Sequence, residues 1–293
     1  GAAELKERLS EQAATTLGGV AQSIGFASIT GADEIFLQPT ALLDRVNVTH
    51  RRPMVKGDIV RDWSVAEGEE TVWPYDESAA ILPAVETPDV LRFFWPYRTN
   101  LRDRRVFSRR LEERGIDWWA AREVYPDRFR TPLSIAFAFV ATHNHFVLDR
   151  GGKVFKQSAP VIKLPPGSTE DDHLALLGLL NSSTACFWMK QVFHCKGSQG
   201  VNEGMKSSQW EQIFEHDATK IRALPIPGES GQVLKLTTDL DALARARPGV
   251  DLVLATRAFT HADALRDFLN ARREADLSSL YRMVALQEEL DWL

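Results

Sequence analysis

Residues 135–140 read Ile-Ala-Phe-Ala-Phe-Val, an apolar run without a polar interruption. The run is far short of the roughly 18 residues that cross a bilayer. It also lacks the in–out alternation of a strand with one wet face. A run of this kind reads as a strand covered on both sides, which requires packed layers above and below it. The chain supplies candidates for those layers. Residues 146–148 and 161–163 read as further strands. Residues 170–192 carry the clearest helical pattern, with Asp171 and Asp172 near its start, where acids suit the helix dipole.

The rest of the chain alternates short elements with turns. Leu5, Leu9, Ala13 and Leu17 recur at helical spacing before Gly18-Gly19. Residues 26–36 read as two short strands around Thr30-Gly31-Ala32-Asp33, and 42–48 alternates like another. Residues 53–63 read as a loop or edge segment, and 71–75 as a strand. Residues 89–114 are helix-compatible but broken at Pro96, and 118–123 reads as a short helix. Pro165-Pro166-Gly167-Ser168 is a turn, 210–214 a helical turn and 221–227 a short strand. Beyond Gly231 the pattern is helical in three stretches, 234–247, 250–271 and 275–293. The expected fold is mixed α/β (α+β): a small mixed sheet with a long central helix in residues 1–230, then a helical region in 231–293. The first helical pattern is already under way at the start of the chain, and no Gly, Pro or basic cap closes the last at Trp292-Leu293, so the chain reads as a segment of a longer polypeptide.

Composition, at 44% hydrophobic and 26% charged, is that of an ordinary globular chain. Its two cysteines, Cys186 and Cys195, give no disulfide framework, which suits a reducing cytoplasm, and no membrane association is expected. Several chemistries lack their motifs. There is no Gly-x-x-x-x-Gly-Lys-Ser/Thr phosphate loop, no Gly-x-Gly-x-x-Gly after a strand and no Gly-x-Ser-x-Gly elbow. No Cys-x-x-Cys pair or His-Glu-x-x-His helix offers a zinc site. His143 and His145 flank Asn144 and would share one face of a strand, but no third ligand lies nearby.

A net charge of −5 does not suggest a polyanion binder, but the charges are segregated. Residues 92–110 hold seven arginines against one acid, Asp103. Phe93, Phe94, Trp95 and Tyr97 lead into Arg98, Arg102, Arg104, Arg105, Arg109 and Arg110. Guanidinium forks suit phosphates and guanine edges. A solvated face, with the arginines paired to Glu112, Glu113 and Asp117, accounts for the same run equally well. The loop 196–206 combines glycines with Lys196, Ser198, Gln199, Asn202 and Lys206. Its amides can pair bidentately with adenine, although a plain surface connection has the same composition. Arg51, Arg52 and Lys56 complete the candidate DNA contacts.

The order of segments resembles a known family. Gly25-Phe26-Ala27-Ser28-Ile29-Thr30-Gly31-Ala32-Asp33-Glu34-Ile35-Phe36 is similar to the opening of TaqI-like specificity domains. Arg52-Pro53-Met54-Val55-Lys56-Gly57-Asp58-Ile59 and Trp73-Pro74-Tyr75 resemble the segments that follow. Leu176-Leu177-Gly178-Leu179-Leu180-Asn181-Ser182-Ser183 resembles the Leu-Asn-Ser helix found there and in type I specificity subunits. Leu224-Pro225-Ile226-Pro227 resembles the closing Leu-Pro-Ile-Pro. Residues 283–292 resemble the C-terminal region of large adenine-specific DNA methyltransferases, the PglX type of phage-growth-limitation and BREX defence systems among them.

The resemblance implies a target-recognition region within an N6-adenine methyltransferase that uses S-adenosylmethionine. The Asn/Asp-Pro-Pro-Tyr/Phe motif is absent. Leu164-Pro165-Pro166-Gly167 lacks both the amide or acid and the aromatic, so no catalytic or cofactor-binding residue is assigned. Catalysis and S-adenosylmethionine are expected in a domain N-terminal to the chain. The expected partners are double-stranded DNA, that methyltransferase domain and other defence subunits. A protein-interaction module docking the catalytic domain or those subunits is the second reading. A metal-dependent nuclease at His143 and His145 is the third.

Overall fold

The computed structural model describes residues 1–61, 63–66, 68–196, 212–228, 231–247, 258–259 and 261–293. The fold is mixed α/β, with small sheets and a long C-terminal helix.

The strand Ser134–Phe137 sits between Phe146–Asp149 and Val161–Lys163, and Ser23–Gly25 completes an antiparallel four-stranded sheet. All residues of Ser134–Phe137 are buried. Its side chains alternate between two cores. Ile135 and Phe137 face a cluster with Leu174, Leu177, Trp188 and Met189 from the helices. Ala136 faces Val55, Phe155 and Val161. The doubly covered strand therefore joins the two halves of the body. A second four-stranded sheet runs Val154–Phe155, Arg51–Val55, Glu70–Val72 and Leu37–Gln38, with one parallel pair. Lys163, only 1% exposed, donates to the Thr131 and Leu133 carbonyls and to the Ser134 hydroxyl.

The helical stretch 170–192 is two helices, Glu170–Leu180 and Ser183–Val192. Thr169 and Asp172 cap the first reciprocally. Asn181 ends it, and its amide exchanges two hydrogen bonds with the backbone of Phe146, at 3.0 and 2.9 Å. Ser182 then accepts from Ala185 N–H and starts the second. The Leu-Asn-Ser motif is thus a helix break stitched to the sheet.

Gly178 faces the helix Gly231–Ala246, and a Cβ there would lie 2.1 Å from Thr237 Oγ1, so only glycine permits this approach. The same helix is tied to the body by Asp241, 3% exposed, which accepts from Arg150 at 2.7 Å and from Arg245 at 2.9 Å. The terminal helix, Ala262–Asp291, buries Met283 and Leu290 against it. Trp63 Nε1 donates to Gln287 at 3.1 Å, and Asp291 accepts from the backbone and hydroxyl of Ser183.

Several local expectations are corrected. Residues 42–48 belong largely to the helix Thr40–Arg45. Asp33–Phe36 is a helical turn, not a strand. Residues 118–123 form no helix, and Glu123–Val124 pairs with Ser28–Ile29. Ile213–Glu215 is a strand between Val140–Ala141 and Cys195–Lys196, not part of a helical turn. Residues 221–227 hold only the two-residue strand Pro225–Ile226, which pairs with Thr15–Thr16. The terminal helix runs without interruption through 271–275.

Candidate nucleic-acid interface

The arginine-rich stretch folds as three consecutive pieces rather than one helix. Pro88–Phe94 is helical, with proline in its first turn, and Pro96 tightens Trp95–Tyr97 into a 3₁₀ turn. Arg98–Asp103 resumes the helix. Val90, Phe94 and Leu101 anchor the segment in a further core, shared with Phe36, Leu43 and Met54, and the Phe94 ring lies 4.7 Å from that of Phe36. Asp89 locks the start of the segment to the neighbouring sheet by accepting from the N–H groups of Thr49 and His50, from the Thr49 hydroxyl and from the His50 ring. Burial alone would raise the Asp89 carboxyl. These hydrogen bonds outweigh it and hold the group well below the usual carboxylate range.

The outer face of this segment carries exposed aromatics and cations together. Trp95 and Tyr97 are exposed, Arg98 lies over the Trp95 ring at 4.6 Å, and Arg102 over Trp118 at 5.7 Å. After Arg104 the chain forms a hairpin, Arg105–Val106 paired with Arg109–Arg110. Arg105, Arg109 and Arg110 are all exposed.

Arg104 does not belong to that face. It is 7% exposed, and four of the five guanidinium donors are taken by backbone carbonyls. These are Leu101 (2.9 Å), Thr30 (2.6 Å), Trp118 (2.7 Å) and Ala120 (2.8 Å). Burial pushes its pKa down to about 10, and the guanidinium stays charged at neutral pH. A cation so enclosed cannot reach a phosphate, and its assignment as a DNA contact is withdrawn.

The other candidates divide by what they already hold. Arg51 pairs with Asp44 and Glu70, Arg52 with Glu77 and Lys56 with Glu69, so each of these three cations already holds an acid. Arg102 and Arg110 form exposed ion pairs with Glu112 (3.3 Å) and Asp103 (2.8 Å), pairs that phosphates can compete for. Among the described residues the Arg105 guanidinium donates only to the Ser108 carbonyl, and Arg109 forms no ion pair. Lys196 lies 3.6 Å from Glu215. Ser198, Gln199, Asn202 and Lys206 lie outside the described residues.

A cleft of about 230 Å³, which the sequence did not single out as a cavity, lies beside this surface. Thr30-Gly31-Ala32-Asp33, the opening motif, lines it together with Arg122, Lys156 and Gln157. Gly31 has φ +73°, and a Cβ there would meet the Arg122 side chain at 2.9 Å. Asp33 accepts from Thr30 Oγ1 and from Lys156 Nζ, the latter at 2.7 Å. The Thr30 carbonyl receives both Arg104 and the Arg122 N–H, so the cleft floor and the root of the hairpin share one hub.

His143 and His145 do adjoin, with ring centroids 4.1 Å apart. Burial pushes His145 down to about 3, helped by the positive potential of His143, Arg61 and His216. Among the described residues no group of three His, Cys, Asp or Glu side chains is placed to hold a metal ion. No described helix is long and apolar enough to cross a membrane.

No protein-family model matches the chain. All of it aligns, at 39% identity over 299 residues, with the adenine-specific methyltransferase PglX of Streptomyces coelicolor. The chain is homologous to a segment of PglX. It spans 24% of that relative's length. Among solved structures, the type IIL restriction-modification enzyme MmeI, determined in complex with DNA, matches 96% of this chain and 37% of its own, with a TM-score of 0.50 at 12% identity. The type IIG restriction endonuclease BpuSI matches 99% of this chain and 33% of its own, with a TM-score of 0.49 at 12% identity. The fold of this PglX-like segment is therefore one that also occurs in MmeI.

Proposed function

We propose that the chain is the DNA target-recognition part of a PglX-type adenine-specific methyltransferase. The observation that carries this reading is the end-to-end alignment with a quarter of PglX. The exposed arginine–aromatic surface is consistent with it. In this reading double-stranded DNA is the ligand. Arg98, Arg102, Arg105, Arg109 and Arg110 contact phosphates and fix register. The loop 196–206, with Gln199 and Asn202, remains the proposed source of base contacts. The whole protein would serve phage defence, of BREX, Pgl or restriction-modification type.

Methyl transfer and S-adenosylmethionine are assigned to a domain outside this chain. The residues here do not fit that chemistry. Leu164-Pro165-Pro166-Gly167 lies at a turn closed by Ser168 N–H on the Pro165 carbonyl, and carries neither the amide nor the aromatic that the reaction requires. A protein-interaction role is favoured by one observation of its own. Leu277, Leu280, Tyr281 and Val284 form an exposed apolar stripe along the terminal helix. Such a stripe suits docking of the catalytic domain or of another defence subunit.

Duplex binding measured against salt tests the proposal. Engagement of four or five phosphates gives a log–log slope of about −4. Absence of binding at low salt overturns DNA recognition by the chain, and co-purification with a separately expressed catalytic domain in its place supports the interaction role.

A further inference from the structure

The hairpin Arg105–Arg110 has a two-residue loop, Phe107-Ser108. Both residues have positive φ, +47° and +70°. Turns of this class favour asparagine and glycine, and a bulky residue at the first loop position is unfavourable. Phe107 is nevertheless there, and it is 94% exposed. Neither the turn nor any core accounts for it. The hairpin that presents the ring is firmly rooted, because Val106 and Leu111 are buried on either side and Arg104 is clamped at its base.

The surroundings of the ring identify what it fits. Arg105 and Arg109 flank it, both exposed, and neither pairs with a described acid. Arg110 follows on the same strand. Aromatic rings and arginines are enriched at protein interfaces too, but two exposed cations that hold no described acid favour an anionic target. A ring at the tip of a hairpin whose strands carry Arg105 and Arg109 matches a target that is flat and apolar within and anionic on both sides, which describes a base-pair step between two phosphate backbones. Apolar side chains inserted at such steps partly unstack and kink the duplex.

We propose that Phe107 is a wedge that inserts at a base-pair step of duplex DNA while Arg105 and Arg109 hold the flanking phosphates. The inference rests on the DNA-binding reading above. Pyrimidine–purine steps unstack most readily, so the wedge favours them. The structure places the ring where no folding role competes, so its removal leaves the fold intact.

The test uses the full chain and duplexes carrying 2-aminopurine at successive positions. Saturating protein raises the fluorescence at one step in the parent. Phe107→Ala binds about tenfold more weakly or worse and loses the fluorescence rise, while Phe107→Trp retains both. Arg109→Ala weakens binding and lowers the salt slope by about one, yet keeps the rise at saturation. Parent-like affinity and fluorescence in Phe107→Ala overturn the wedge and leave DNA recognition standing. Loss of catalytic-domain capture by Phe107→Ala, with DNA binding unchanged, also overturns the wedge and gives the ring to a protein partner. Absence of DNA binding by the parent overturns the wedge together with the reading beneath it.

Discussion

The guanidinium of Arg104 donates to the carbonyl oxygen of Thr30 at 2.6 Å, across 74 positions of sequence. That one contact links the opening motif to the root of the hairpin. Arg104→Ala would leave buried carbonyls without donors and is expected to destabilise the chain by about 3 kcal/mol or more. Lysine lacks the planar fork, so Arg104→Lys is expected to recover only part of the loss. Arg105→Ala, its exposed neighbour, stays within about 0.5 kcal/mol of the parent. Urea unfolding of the three variants checks this, and a parent-like midpoint for Arg104→Ala would remove the hub from the account.

The hairpin loop makes the opposite kind of prediction. Replacing Phe107-Ser108 by Asn-Gly relieves two unfavourable left-handed residues and is expected to stabilise the chain by about 1 kcal/mol. Thermal unfolding reads it, and an unchanged or lower midpoint contradicts the strain assigned to this turn.

His216 supplies a pH dependence. It is 3% exposed, and burial pushes its pKa down to about 4, helped by the positive potential of His143. The unfolded chain therefore binds a proton near pH 6.5 that the folded chain refuses until about pH 4. The contribution is intact above pH 6.5 and is lost as the pH falls towards 4, by about 3 kcal/mol in full. Unfolding midpoints at pH 7, 5.5 and 4.5 should fall steadily, and the fall should shrink in His216→Leu.

Asp241 joins Arg150 and Arg245 and is itself buried, whereas both arginines are partly exposed. Asp241→Ala is expected to cost about 2 kcal/mol, less than a fully buried pair would, because water still reaches the arginines. Hydrogen exchange should accelerate first in Gly231–Ala246, and acceleration spread uniformly over the chain would argue against a local tie.

What could be read from sequence, and what could not, follows from the range of the interactions. The buried strand Ser134–Phe137 was legible within 135–140 because an apolar run that has no wet face leaves few alternatives, but the run divides, and Val140–Ala141 pairs in another sheet. Residues 42–48 misled because a short apolar pattern fits two periods, and Thr40–Arg45 is too brief to decide between them. The break at Asn181 was hidden because its signal is a pair of hydrogen bonds to Phe146, 35 residues away. Arg104 looked like its neighbours in composition. It differs only in lying within reach of four carbonyls, three of them from distant segments. Phe107 drew no notice for the converse reason, since a phenylalanine between arginines reads as buried until its turn is seen.

The carbonyls that Arg104 gathers come from residues 30, 101, 118 and 120. A hairpin seated on such a hub is not an interchangeable loop. Recombination between relatives that cut the chain both just before and just after 105–110 would keep the seat and exchange only the exposed tip. A cut between 104 and 118 would bring together a guanidinium and carbonyls with no shared history. Under the proposed DNA-recognition role, the exchangeable unit would therefore be a block whose borders are set by a buried side chain.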